Sequence, residues 1–350
     1  MTRRHQLATL AVALVAIAGL AACAQPVATS TPAPTPTPTA TPTPTPAPTP
    51  TPPSSATFDL ASMPSPDPLW SAGLSHLLSL VPAGYGPAFF LDVEALQENP
   101  ELQQTLDLEV FGLLKTLPPA ATMSLDSLVV ATGEGGEGLI MVLNGPIDIE
   151  SLLQMAGSFG LAPQGLEPES HRGHVIRSID VFGLTLAVGS ADDSTAVMAT
   201  GSPGGATPAL DQVKGALDGF DGLAPRLLDN PEVSRLVTSL PPGVTAVVLT
   251  GCTEMAGLVS IAALPGCNGA ALSAEVLDQD TGAINAVVGF QDDLQAAGAL
   301  RLLDKEGIRL GELPPQNGAA RQEESLLRIR FAVNLDQIPS AFDTLAPLER

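Results

Sequence analysis

A tract of proline and threonine limits what the N-terminal part of the chain can fold into. From Ala24 to about Ala56 the sequence runs AQPVATSTPAPTPTPTATPTPTPAPTPTPPSSA. Proline lacks an amide N–H and disfavours helical geometry in the residue before it, so this tract forms neither helix nor sheet. In polyproline II geometry each residue adds ~3.1 Å, which makes the tract a spacer of up to about 100 Å. The sequence therefore predicts a disordered linker over residues 24–56, ahead of a folded part.

The residues before the tract have the layout of a secretory signal. Arg3 and Arg4 give a basic start, and an apolar run extends from Leu7 to Leu20. This run is shorter than the ~20 residues that a transmembrane helix needs. Its last residues, Leu20-Ala21-Ala22-Cys23, resemble the lipobox of bacterial lipoproteins. The resemblance implies a signal peptide over residues 1–22 and a mature chain that begins with a lipidated Cys23.

A lipid anchor on Cys23 implies an extracytoplasmic location on the cell membrane or the outer membrane. Lipoproteins carry a diacylglyceryl thioether and often an N-acyl chain such as palmitate. Several chains anchor stably where one does not, because each buried CH2 contributes ~0.8 kcal/mol. The alternatives are an ordinary cleaved signal or an uncleaved single span, in which Cys23 has no role.

The charge of the chain argues against nucleic acid as a partner. The chain has 37 Asp and Glu against 15 Lys and Arg, two of which lie in the signal, so the mature chain carries a formal net charge of −24 (13 − 37). Nucleic acids and anionic headgroups need basic surfaces. Aromatic residues make up 3% of the chain, which disfavours a platform for stacking sugars or bases. We therefore expect an aliphatic core and no nucleic-acid partner.

Two cysteines remain once Cys23 is assigned to the anchor. Cys252 and Cys267 are close in sequence, and an extracytoplasmic location allows them to oxidise. A metal site is the competing interpretation, but two cysteines with no histidine nearby are too few for zinc. The sequence favours a disulfide, and no cofactor is expected.

Patterns in residues 57–220 predict a first half with an α+β fold. The predicted strands are 88–93, 128–132, 139–143, 174–179, 184–189 and 195–200. Helices are predicted to begin at Asn99-Pro100-Glu101 and to cover 149–159 and 208–217.

Residues 221–350 repeat this order and predict a related second half. Asn230-Pro231-Glu232 opens a helix, 246–250 is a strand, 272–290 is a hairpin and 299–308 ends a helix. The predicted fold is two related halves of mixed or antiparallel sheet with packed helices, divided near Gly219–Pro225.

The segment from Val81 to Leu102, VPAGYGPAFFLDVEALQENPEL, resembles a pattern in uncharacterised secreted bacterial lipoproteins of unknown function. It covers a small part of the chain. The resemblance implies no active-site residues.

Two glycine-containing segments match ligand-binding patterns without their full context. Gly133–Gly138, GEGGEG, fits the dinucleotide pattern G-x-G-x-x-G, but a strand follows where that pattern needs a helix. Asp278–Gly282, DQDTG, has the start of a calcium loop without the further oxygen ligands. We interpret both segments as hairpin turns.

Histidines and carboxylates cluster only at Glu167–His174, EPESHRGH. His171 and His174 are weak candidates for a metal ligand or for an acid–base role. In one continuous strand their odd offset places them on opposite faces, so joint ligation needs a loop. The corresponding second-half segment, 321–331, has no histidine. His76 lies in a short apolar helix, where a capping or packing role is expected.

These observations favour a lipid-anchored, non-enzymatic protein with a binding or envelope role. An apolar ligand between the halves or under the sheet fits the positive mean hydropathy of +0.26. The chain contains no G-x-S-x-G, S-x-x-K, H-E-x-x-H or phosphate-loop motif. The alternatives are an extracytoplasmic enzyme or metal-binding protein that uses His171 and His174, and an envelope-assembly component that docks another protein.

Overall fold

The structure, a computed structural model, describes residues 63–97, 125–133, 138–146, 168–181, 184–201, 208–252, 266–277, 281–306 and 318–334. The strands in these ranges are β1 (Tyr85–Asp92), β2 (Ser127–Gly133), β3 (Leu139–Asn144), β4 (Glu169–His171), β5 (His174–Val181), β6 (Leu184–Ser190), β7 (Thr195–Gly201), β8 (Thr245–Leu249), β9 (Cys267–Val276), β10 (Thr281–Phe290), β11 (Gly318–Glu323) and β12 (Leu326–Asn334).

These strands form one open sheet in the order β11-β12-β10-β9-β8-β1-β2-β3-β7-β6-β5-β4. Every neighbouring pair is antiparallel. β1 and β8 pair at the middle, where Phe89 lies opposite Val247. From this centre β1-β2-β3 lead one way and β8-β9-β10 lead the other. The predicted α+β class with an antiparallel sheet is confirmed.

The α-helices of the described residues are α1 (Pro68–Leu78), α2 (Val93–Gln97), α3 (Ala209–Phe220), α4 (Pro231–Ser239) and α5 (Asp293–Glu306). The predicted start of α4 is confirmed, because the Asn230 side chain accepts a hydrogen bond from the Glu232 N–H and Pro231 fills the first helical position. Asp67 caps α1 in the same way. None of the described helices is long and apolar enough to cross a membrane.

Two hydrophobic cores lie on opposite sides of the sheet. We call the side that carries Phe90 and Val248 the first face, and the side that carries Leu91 and Leu249 the second face. The first face packs under α1, α3 and α4, which bury Leu77, Leu217 and Leu236, among others. The second face packs against α2 and α5. Burial of each large aliphatic side chain contributes ~1.5–3 kcal/mol, so both cores hold the sheet and helices together.

The structure corrects one comparison between the halves. The segment 321–331 lies in the β11–β12 hairpin, and β12 pairs with β10 in the way that β7 pairs with β3. By position in the sheet, β11–β12 therefore corresponds to β6–β7. The histidine hairpin β4–β5 lies further out, at the edge of the sheet.

Several predictions concern residues outside the described ranges. These are the signal, Cys23, the linker, the helices expected at 99–101 and 149–159, and the turn residues 134–137 and 278–280. The strands flanking both turns are described, and each pair forms the expected hairpin: β2 with β3, and β9 with β10.

Candidate functional site

The β4–β5 hairpin places His171 and His174 on the same face of the sheet. A two-residue turn, Arg172 and Gly173, joins the strands, and both turn residues have positive φ, 51° and 93°. His171 is the direct cross-strand partner of His174. The odd offset places the two histidines on opposite faces only in one continuous strand, and here the chain reverses between them.

Each of these histidines faces a separate aspartate at the C-terminal end of α3. His171 Nε2 lies 2.8 Å from Asp218 Oδ1, and His174 Nε2 lies 3.1 Å from Asp221 Oδ2. His174 Nδ1 also lies 2.9 Å from the Ser190 carbonyl oxygen. Both imidazoles are largely buried, with side-chain exposures of 20% and 15%. These contacts tie the edge hairpin to α3 and to the end of β6.

His76 forms a third histidine–aspartate pair close by. Its Nε2 lies 3.2 Å from Thr195 Oγ1 and 3.8 Å from Asp192 Oδ2, and its ring meets Phe220 of α3 edge to face. In a catalytic triad the carboxylate holds Nδ1 while the nucleophile faces Nε2. Here both groups approach Nε2, and Thr195 is buried, so this cluster does not have the geometry of a triad.

Asp192 organises the turn between β6 and β7. Burial raises the pKa of its carboxyl, but other contacts outweigh burial and hold the pKa below its usual value. These contacts are hydrogen bonds from the Ser194 N–H, the Ser194 hydroxyl and the Thr195 hydroxyl, together with the charge of His76. Asp192 is therefore an ionised acceptor that fixes this turn against α1.

The histidine–aspartate pairs do not converge on one point. Among the described residues, no group of three or more His, Cys, Asp or Glu side chains is placed to hold a metal ion. His171 and His174 share a face, yet each is engaged with its own aspartate. The geometry supports a structural linkage between α1, α3, the β6–β7 turn and the β4–β5 hairpin.

The predicted disulfide between Cys252 and Cys267 is confirmed. The two Cα atoms are 5.9 Å apart, and the bond closes a loop with a sequence separation of 15. It joins the segment after β8 to the first residue of β9.

A continuous apolar row crosses the second face of the sheet. Cross-strand pairing places its members side by side from β6 to β12: Val188, Met198, Met141, Val130, Phe89, Val247, Leu272, Ala286 and Ile329. Val188 and Met141 are buried at 7% and 8% and Ile329 at 1%, while Met198 between the first two is partly buried. Phe89, in the central strand, is 38% exposed. Among the described members of the row, Phe89 is therefore the most exposed.

Sequence reasoning identified these strands but not the row. Each member alternates with a first-face residue along its strand, and this alternation is visible in the sequence. Which members become neighbours depends on strand order and register, and β1 and β8 are more than 150 residues apart in the chain. A smaller apolar depression of about 310 Å³ lies between α1 and α4, lined by Pro66, Pro68, Ser71, Ala72, Ser75 and Thr238.

Comparison with known proteins gives no family. No family model matches the chain, and no curated protein matches it. Among solved structures, three crystal forms of TP0453 are similar in part. Forms III and I each have a TM-score of 0.46, with 10% and 12% identity, and cover 76% and 77% of this chain and 97% of TP0453. Form IV also scores 0.46, at 10% identity. Similarity at this level carries no information about activity, ligand or partner.

Proposed function

We propose that the chain is a lipid-anchored extracytoplasmic protein that binds an apolar ligand at the centre of the second face of its sheet. The observation that carries this proposal is the exposed Phe89 in the middle of an apolar row. A phenylalanine in a central strand normally lies under a second layer, because its burial contributes ~1.5–3 kcal/mol. Because Phe89 is partly exposed, a bound apolar ligand can bury the rest of its side chain and gain part of that stabilisation.

The neighbours of Phe89 define the chemistry of the ligand. Val130 and Val247 flank it directly across the sheet and are both partly buried. None of these three side chains can form a hydrogen bond, so the surface suits the hydrocarbon part of a molecule, such as an acyl chain. Specificity for a headgroup would have to come from residues beyond this row.

The anchor and the location rest on two supports. The lipobox at Cys23 is followed directly by the proline–threonine spacer, which suits a protein held at a distance from a bilayer. The Cys252–Cys267 disulfide suits an oxidising compartment, because cytosolic thiols are kept reduced. In this proposal the anchor lipid is the membrane partner, and the folded body takes a second apolar molecule.

The ligand is tested on the mature chain with Cys23→Ser, exported through an ordinary cleavable signal and purified without detergent. Native mass spectrometry is compared with a denatured sample, and the organic extract is analysed for lipid. We expect a mass excess that disappears on denaturation and is recovered as lipid. A bare mass would remove the support for a ligand and leave an envelope protein as the partner to seek.

The position of the site is tested with Phe89→Asp and the control Leu294→Asp. Leu294 is 81% exposed on α5 and is not a member of the row. Loss of ~1.5–3 kcal/mol of contact weakens binding of a fluorescent fatty acid by about tenfold or more. We expect that loss for Phe89→Asp and none for Leu294→Asp. Equal binding by both variants would place the ligand elsewhere.

The anchor is tested by Cys23→Ala in the full-length chain. We expect this variant to lose lipidation and the cleavage that depends on it. If Cys23→Ala were processed and membrane-bound like the wild type, the lipobox interpretation would be wrong.

A further inference from the structure

β4 is attached to the rest of the fold through its pairing with β5 and through ionisable side chains, whereas β5 also pairs with β6 and buries Ile176. β4 has three residues, lies at the edge of the sheet and, among the described strands, pairs only with β5. Its Glu169 and Ser170 are exposed and its His171 is partly buried, so apolar burial does little to hold this strand. Elements held by few apolar contacts open locally at low cost. The side-chain contacts with α3 therefore decide how firmly the hairpin is closed.

His174 is placed so that its charge state matters. Nδ1 faces the carbonyl oxygen of Ser190, which can only accept a hydrogen bond, and Nε2 faces the carboxylate of Asp221. A neutral imidazole has one N–H and satisfies one of these acceptors, whereas the imidazolium donates to both. Protonation thus converts a half-satisfied contact into two hydrogen bonds, one of them to a carboxylate.

His171 adds a smaller effect of the same sign. Its Nε2 faces Asp218, which also accepts from Arg172 Nε at 3.0 Å. The arginine keeps its charge at every pH of interest, so Asp218 retains one partner when His171 is neutral. A hydrogen bond from neutral His171 to this carboxylate has one charged partner, and protonation of His171 makes both partners charged.

Charged and titratable groups reach this region from every element packed around the hairpin. They are Glu169 and Arg172 from the hairpin, Lys214 and Asp218 from α3, Asp221 after α3, Asp192 from the β6–β7 turn and His76 from α1. Lys214 Nζ and Glu169 Oε1 form a pair at 2.5 Å. Between pH 5 and pH 8 histidine is the side chain whose charge changes.

We propose that the β4–β5 hairpin is a proton-sensitive flap, closed on the C-terminal end of α3 when His174 and His171 are protonated and loosened when they are neutral. The last turn of α3 favours this direction, because the helix dipole places partial negative charge beside Asp218 and Asp221 and so favours nearby cations. Acidification of the surroundings closes the edge of the sheet. A rise in pH frees β4 and the outer side of β5.

The flap is tested by amide hydrogen exchange of the full-length lipidated protein in detergent micelles, as protection factors between pH 5 and pH 8. We expect amides of β4 to be about tenfold better protected at pH 5, because the imidazolium of His174 donates to both of its acceptors and both histidines then face their aspartates as full ion pairs. Amides of β9 and β10, in the other half of the sheet, serve as the internal reference and should not change. If the protection factors of the hairpin amides at pH 5 and pH 8 had a ratio near one, the proposal would be overturned.

Two variants separate the histidines from the other charges. His174→Asn with His171→Gln keeps a donor near Ser190 and near Asp218 but does not titrate, so the pH dependence should disappear. Lys214→Gln removes a contact that involves neither histidine, so it should lower protection equally at both pH values and keep the tenfold ratio. Persistence of the ratio in the double variant would overturn the proposal.

The wild-type protein provides a test that does not depend on the variants folding. The chain contains four histidines, one of which is His5 in the signal, so the imidazole nitrogen resonances are few enough to assign. The midpoint of hairpin protection should coincide with the titration of His174. Coincidence with His76 alone, or with no histidine, would refute the flap. Neither outcome depends on the apolar ligand, so this proposal and the proposed function fail independently.

Discussion

Asn285 offers a quantitative test of the first-face packing. Its side chain lies in the middle of β10, 2% exposed, between Ser273 on β9 and Arg330 on β12. Within the described part of the chain, neither the oxygen nor the nitrogen of its amide has a hydrogen-bond partner. Ser273 donates instead to the Pro241 carbonyl oxygen, and Arg330 pairs with Glu275. A carboxamide is therefore buried with both of its polar atoms unsatisfied.

The expected gain from replacing it follows from the cost of burial. An unpaired buried donor or acceptor costs about 1–3 kcal/mol, and Asn285 has one of each. Leucine has nearly the same shape without either polar atom. The two methyl groups of leucine do not fit the space of the amide perfectly, and the resulting strain reduces the gain in stability by about 1 kcal/mol or more. Asn285→Leu should therefore raise the free energy of unfolding by about 2 kcal/mol.

The assay is urea unfolding of the mature Cys23→Ser chain, comparing midpoints at an unchanged slope. Ser273→Ala is the matched control, because it removes a buried hydroxyl whose hydrogen bond is made, and it should lose about 1 kcal/mol. The two substitutions thus have opposite expected signs at neighbouring positions. If Asn285→Leu lowered stability by 1 kcal/mol or more, its amide would have partners in solution and the reasoning would be refuted.

The remaining predictions concern backbone space, a buried phenol and the disulfide. A Cβ on Gly243 would lie 2.5 Å from a backbone oxygen of β9, so Gly243→Ala should lower the free energy of unfolding by about 1–3 kcal/mol. Gly215 in α3 has open space around it, so Gly215→Ala should raise the free energy of unfolding by about 0.5–1 kcal/mol. Equal melting temperatures of the two variants would contradict this reasoning. Burial raises the pKa of Tyr85 to about 12. Because Tyr85 is the one tyrosine in the chain, the tyrosinate absorbance of the protein should titrate near that value. A midpoint near 10 would show that the phenol is exposed. The neutral phenol favours folding below pH 10, and this stability is lost as the pH rises towards 12. Replacing Cys252 and Cys267 together by serine should lower the unfolding free energy by ~3 kcal/mol, and an unchanged urea midpoint would rule out the bond.

The strands were predictable because their signal is local. Alternation and β-branched residues mark β2, β3 and β6 to β10, and all of these strands lie within a few residues of the predicted positions. The start of α4 was equally clear, since Asn230, Pro231 and Glu232 each favour a helix N-terminus for a separate physical reason. The disulfide followed from counting cysteines once Cys23 was assigned to the anchor.

The histidine pairs were not predictable in the same way. His171 and His174 drew attention as a cluster, but the sequence does not show that Arg172 and Gly173 adopt positive φ and reverse the chain between them. Their aspartate partners lie 47 residues away along the chain in both cases. Contacts of this kind depend on how α3 packs across the sheet.

The sequence by itself predicted a signal-like start and a spacer, which lie outside the described residues, and it determined the alternating segments that form antiparallel strands and capped helices. These properties depend on each residue and its near neighbours, through proline geometry, side-chain alternation and capping. The tertiary structure alone decided that β1 pairs with β8, that Phe89 stands exposed within an apolar row, and that three histidines each face an aspartate. The physical reason is that strand order and register are set by burial of the two sheet faces together, which is a property of the whole fold.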